Sequence, residues 1–202
     1  MAVNAQPIAL FRLSVLAAGL LPGLWLIWQW YFGDLGANPA EAVIHFTGKV
    51  GLSLLLVTIS FSPAFRLTRW LGIMKARRQI GLWSFFWLTL HMLSWMGLYQ
   101  YWEWQWIWHE MIALEYIRYG AVALLLLIPL ALTSFHWVPA KIGWQAWQAW
   151  HWLHRLIYIS AGLGVYHLWV LTRADYLLPT LFALLLAGLV FFRLVDAWVH
   201  RQ

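Results

Sequence analysis

The sequence predicts an all-α, polytopic membrane protein built as a six-transmembrane-helix bundle, and three observations carry that prediction. First, 63% of the 202 residues are hydrophobic and only 10% are charged, whereas soluble domains average about 45–50% and about 25%. Second, the apolar residues gather into six windows of roughly 20 residues, the length that crosses a bilayer. Third, nearly all charges fall at the ends of those windows or between them. The spans use up the length, so residues 1–202 are expected to form a single transmembrane domain with no separate soluble one.

In order, the first span covers about 10–32 and is followed by about 45–65 and about 80–99. The last three cover about 116–135, about 152–171 and about 176–197. Pro22 and Pro129 lie within spans and are expected to kink them, which bundle packing tolerates. The connection from about 100 to 115, QYWEWQWIWHEMIALE, alternates aromatic and polar residues. It is expected to lie along the membrane interface, where tryptophan concentrates, rather than to form a seventh span. No cleavable signal peptide is expected, because the first apolar stretch is too long and lacks a small-residue cleavage site. No repeat, low-complexity segment or flexible linker is read from the chain.

Charge placement predicts orientation. One side of the bilayer collects Arg12, Arg66, Arg69, Lys75, Arg77, Arg78, Lys141, Arg155, Arg193 and Arg201 against one acid, Asp196. The other carries Lys49, Arg118 and Arg173 against Asp34, Glu41, Glu103, Glu110, Glu115 and Asp175. Basic residues mark the cytoplasmic side, so both termini are expected there. The net charge of +6 is thereby an orientation signal, and nucleic acid is not an expected partner. The absence of cysteine excludes disulfides, iron–sulfur clusters and thiolate-bound metal.

The chemistry resides in histidines. His91, His154 and His167 fall inside predicted spans, and an ionisable group at membrane depth is a functional candidate by default. Neutral imidazole is a good axial ligand for haem iron, so a haem is expected between the third and fifth spans, helices 3 and 5 of the bundle. His154 and His167 stand 13 residues apart, about 20 Å along a helix but roughly 140° apart around it. Sharing a face would need distortion, which Gly162 and Gly164 could permit. From the cytoplasmic end, His154 lies ~3 Å deep, His91 ~16 Å and His167 ~22 Å. This favours His91 with His167 as the axial pair of one b-type haem. His154 then serves a second haem or supports the first, so one or two haems remain open. His151, three residues before His154, is its rival, and His45 opens the second span as a weaker candidate. His109, His136 and His200 read as solvated. Among the cations, Arg77, Arg78 and Arg155 are best placed to meet haem propionates or a flavin phosphate, and otherwise act as topology determinants.

Several strings resemble one bacterial family, the MsrQ/YedZ haem-binding membrane subunits within the wider ferric-reductase-like transmembrane group. They are GLLPGLW in the first span, LGANPAEAVIHFTGK leading into the second, and ARRQIGLWSFFWLTLH in the third. LHRLIY, with a histidine 13 residues later, completes the set. The resemblance runs over about residues 15–195. It implies His91, His154 and His167 as haem-linked positions in a subunit of the bacterial inner membrane. It also implies electrons taken from membrane quinone, or from a flavin, and passed to a periplasmic molybdopterin-containing reductase that repairs oxidised methionine. FMN is implied as a further cofactor without an assigned site. The approach to the fifth span, WQAWQAWHWLH, departs from the family's shorter WQxLH and leaves His151 and His154 as rivals.

Bis-histidine ligation closes the iron to added ligands, which suits electron transfer. With no glycine-rich nucleotide fingerprint, electrons are expected from a lipid-soluble carrier or a partner. The alternatives are a small haem-dependent ferric reductase and a non-redox transporter or structural subunit. The scarcity of acids within the spans disfavours an ion path.

Overall fold

The computed structural model describes residues 5–134 and 153–199 of the chain, and all regular structure among them is helical. The helices are α1 (Ala5–Phe32), α2 (Pro39–Thr68), α3 (Leu71–Leu98) and α4 (Trp104–Ala113), then α5 (Glu115–Leu132), α6 (Leu156–Leu171) and α7 (Leu177–Val199). Six of these overlap the six expected windows. Four of them, α1, α2, α5 and α7, are long and apolar enough to cross a membrane, and the chain is a multi-pass membrane protein. The interface segment contains α4, whose 10 residues extend about 15 Å and cannot span.

Several helix ends depart from the sequence reading. The stretch after the second span is mostly helix: α2 continues to Thr68 and α3 begins at Leu71. Lys75, Arg77 and Arg78 therefore sit on the first turns of α3. Arg69 turns the chain in the left-handed region (φ 55°) and its N–H bonds the Phe65 carbonyl, capping α2. That compact cap returns α3 antiparallel to α2 within two residues. At the other end of α2, Asn38 accepts from the Glu41 N–H, with Pro39 at the first helical position, a favourable N-terminus.

The chain forms two compact units, residues 1–103 and 104–202. In the first, α3 packs along α2 and also meets α1. The GLLPGLW string explains the second contact. A Cβ on Gly19 would collide with Trp83, and one on Gly23 would touch the Trp87 ring at 3.5 Å. Two glycines four residues apart thus admit two indoles four residues apart, the small-residue packing that membrane helices favour. The Trp87 Nε1–H donates to the Gly19 carbonyl at 3.1 Å, giving a buried polar atom its partner. In the second unit, α5 packs along α6, with α7 against α6 and α4 against α5. Pro22, Pro63 and Pro129 all lie inside continuous helices.

Candidate functional site: two matched histidine seats

His91 lies on α3, half-buried, and its Nδ1 is 2.8 Å from the Ile44 carbonyl of α2. A carbonyl only accepts, so Nδ1 carries the proton, and the neutral ring then has its lone pair on Nε2. Nδ1–H donation to a carbonyl is the arrangement that orients metal-ligating imidazoles and raises their basicity. The ring reaches this carbonyl because the residue one turn on is Gly48. In a helix the Cβ at i+4 leans back over residue i, and a Cβ on Gly48 would stand 3.0 Å from His91 Cε1 and Nδ1.

The second unit repeats the arrangement. His167 on α6, also half-buried, has Nδ1 2.6 Å from the Tyr116 carbonyl of α5. A Cβ on Gly120, four residues after Tyr116, would stand 3.0 Å from His167 Nδ1 and 3.1 Å from Cε1. Two turns from each histidine a buried serine fastens the same helix pair. Ser84 donates to the Gly51 carbonyl at 2.9 Å, and Ser160 to the Ala123 carbonyl at 2.8 Å. These are the two fully buried serines of the described core.

Each histidine also lies at the corresponding end of its hairpin, beside the start of α2 or α5, so His91 is nearer a helix end than the mid-span position its sequence neighbours suggested. His154 differs: it precedes α6 in a turn, where Ile157 N–H bonds the His154 carbonyl at 3.4 Å and Tyr158 N–H bonds the Arg155 carbonyl at 3.1 Å. These i→i+3 bonds place the irregularity between His154 and His167 at residues 154–155. The segment containing Gly162 and Gly164 is regular helix. The two histidines thus do not belong to one continuous helix, and their ideal-helix angle of 140° does not apply.

The remaining candidates separate from these seats. Arg77 and Arg78, half-buried on α3, precede His91 by 14 and 13 residues, about 20 Å along the helix. Arg155 is exposed beside His154, at the start of α6. His45 is half-buried on α2, next in sequence to the carbonyl that holds His91 but about 100° around the helix from it. His109 is exposed on α4. His136, His151 and His200, with Lys141 and Arg201, lie outside the described residues. Among the described residues no three acidic, histidine or cysteine side chains gather as a metal cage; an axial haem site needs none, since the porphyrin supplies the other ligands. The histidine seats supply the donor type, tautomer and support that a haem iron requires, and the residues fit the group.

Sequence reasoning missed Gly48, Gly120, Ser84, Ser160 and the two backbone carbonyls. A signal was present: G-x-V-x-L-x-L-L occurs at 48–55 and again at 120–127, and serine precedes histidine by seven residues twice.

A family model described as "ferric reductase like transmembrane component" matches residues 47–165, more than half of the chain. The chain is 42% identical over 191 residues to the protein-methionine-sulfoxide reductase heme-binding subunit MsrQ of Rhodospirillum rubrum, covering 95% of this chain and 90% of that protein. The chain belongs to the MsrQ family. The MsrQ protein of Caulobacter vibrioides is 35% identical over 90% of this chain and 83% of its own length. That of Yersinia pseudotuberculosis is 35% identical over 96% and 94%. The ferric-reductase-like match begins one residue before Gly48 and ends two before His167. It therefore includes His91, His154 and both serines, together with parts of both compact units.

Proposed function

We propose that this chain is the membrane electron-transfer subunit of a periplasmic methionine-sulfoxide reductase system, with His91 and His167 as the axial ligands of a b-type haem. The observation that carries this reading is the matched pair of Nδ1–carbonyl bonds, at 2.8 Å for His91 and 2.6 Å for His167. Each fixes the tautomer with the lone pair on Nε2, the atom an iron would take. The relatives' printed names, heme-binding subunits of protein-methionine-sulfoxide reductase, agree in cofactor and in system.

When bound, the haem would supply a one-electron redox centre. Each histidine would offer it Nε2, and its backbone acceptor holds the Nδ1 proton in place. His154 has no counterpart in this scheme. The shift of 76 residues that relates Ser84 to Ser160 and His91 to His167 places Arg78 where the second unit has His154. The matched pair therefore favours one bis-histidine haem, with His154 serving a second or supporting the first. Arg77, Arg78 and Arg155 are assigned to propionates or to a flavin phosphate, whose negative charge they would offset.

Charge asymmetry supports both termini on the cytoplasmic side, and membership of the family supports six spans in a bacterial inner membrane. Electrons are then drawn from membrane quinone or from FMN and leave to a molybdopterin-containing reductase in the periplasm. The test uses purified protein in lipid vesicles. A quinol analogue should reduce its haem absorption bands, and the periplasmic reductase with its oxidised substrate should reoxidise them. Reoxidation by a ferric chelate but not by the reductase would instead favour a metal reductase.

A further inference from the structure

We propose that Gly48 and Gly120, at matching places in the two helix hairpins, are equivalent positioning residues, each opening one backbone carbonyl to the histidine of its own unit. Five correspondences support it. Ile44, Gly48 and Gly51 match Tyr116, Gly120 and Ala123 at a shift of 72 residues. Ser84 and His91 match Ser160 and His167 at a shift of 76. The shift is 72 for every matched residue of the first helix of each pair and 76 for every matched residue of the second. Sequence identity follows the same register: Gly48, Val50, Leu52, Leu54 and Leu55 recur as Gly120, Val122, Leu124, Leu126 and Leu127.

The glycine has a defined physical role. A helical carbonyl already accepts the N–H four residues on, and that residue's side chain leans over it. Without a Cβ, a second donor can reach the oxygen from the neighbouring helix. Both glycines have the histidine ring as their three nearest contacts, so an added methyl would act on the ring directly, which must retreat by a few tenths of an ångström. The imidazole then tilts and its Nδ1 bond lengthens, lowering its basicity toward iron. The same substitution at Gly162, on the helix of His167, meets nothing within 4 Å and provides a control on helix propensity and handling.

The inference deepens the haem reading, and the test separates the two. Full-length Gly48→Ala, Gly120→Ala and Gly162→Ala proteins are compared with wild type. Readouts are the low-spin EPR g-values and the rate of haem transfer to apomyoglobin. Loss of such supporting contacts typically weakens metal binding 10–100-fold, so Gly48→Ala and Gly120→Ala should each release haem about that much faster and shift the g-values. Gly162→Ala should match wild type. If either seat variant behaves like Gly162→Ala, the proposal is overturned. If Gly48→Ala is poorly folded, it is repeated in a His91→Ala background. There the ring is gone and the added methyl should cost nothing further; a persistent loss of stability overturns the positioning role. If wild-type protein binds no haem, the haem reading fails on its own. The seats are then read by ¹⁵N NMR of histidine-labelled protein. Two Nδ1-protonated rings, each perturbed by its own glycine variant, uphold the proposal, and unperturbed rings overturn it.

Discussion

Gly51→Ala sets two effects of opposite sign against each other. Gly51 is buried in α2, where replacing glycine by alanine gains about 0.8–1 kcal/mol of helix propensity. The added Cβ would stand 2.7 Å from Leu88 Cγ, 2.8 Å from Cδ2 and 3.0 Å from the Leu88 backbone nitrogen. Ordinary carbon contacts lie near 3.5–4.0 Å. The leucine tip can rotate away, but the backbone nitrogen cannot, so α2 and α3 must part by roughly 0.5 Å, given that same contact range. Overpacking of this kind costs about 1–3 kcal/mol. The separation also stretches the 2.9 Å Ser84–Gly51 bond, an interaction worth about 0.6 kcal/mol on average between membrane helices. Packing outweighs propensity, and a net loss of about 1–2 kcal/mol is expected from these terms. The assay is reversible unfolding of the purified protein in mixed detergent micelles. A variant more stable than wild type by about 1 kcal/mol, as propensity alone dictates, would refute the close α2–α3 approach.

Three further outcomes follow from other contacts. Trp87 is 2% exposed; Trp87→Phe removes its bond to Gly19, worth about 0.6–1.7 kcal/mol, together with part of a buried ring, and should cost about 1–3 kcal/mol, whereas Trp87→Ala should cost about 3–5 kcal/mol. The same unfolding assay separates the two, and equal costs would contradict the packing of α1 on α3. Asn38→Ala removes the cap of α2 and should cost about 1 kcal/mol, checked by thermal unfolding. Replacing Lys75, Arg77 and Arg78 together by glutamine should reduce the fraction of molecules with a cytoplasmic C-terminus, read with a C-terminal topology reporter; an unchanged distribution would show that other charges set the orientation.

Most of the fold was legible because membrane spans are written in the one property that sequence displays directly, a sustained apolar run. Each expected window overlaps a helix, four of these helices are long and apolar enough to cross a membrane, and the interface segment contains a short one. The start of α3 was less legible, since Lys75, Arg77 and Arg78 read as a loop while a left-handed cap at Arg69 lets helix resume at once. His91 and His167 stood out as polar groups in apolar surroundings, but the groups that hold them did not. Two of those are backbone carbonyls, which carry no sequence signature. The others are glycines and serines that look like ordinary small residues of membrane helices. The matching of the two hairpins was obscured because its two shifts differ and because its identities are mostly leucine, valine and glycine in an apolar chain. Gly162 and Gly164 could have permitted a distortion between His154 and His167, yet the irregularity falls at 154–155, where the turn closes with i→i+3 bonds.

The central claim is that His91 and His167, and not His154, are the matched axial pair. It is tested most directly by the visible and EPR spectra of purified His91→Ala, His167→Ala and His154→Ala proteins, each compared with wild type at equal protein concentration. His91→Ala and His167→Ala should each abolish the same low-spin bis-histidine signal, and His154→Ala should leave that signal in place. A His91→Ala or His167→Ala protein that keeps the signal at full haem content would contradict the account.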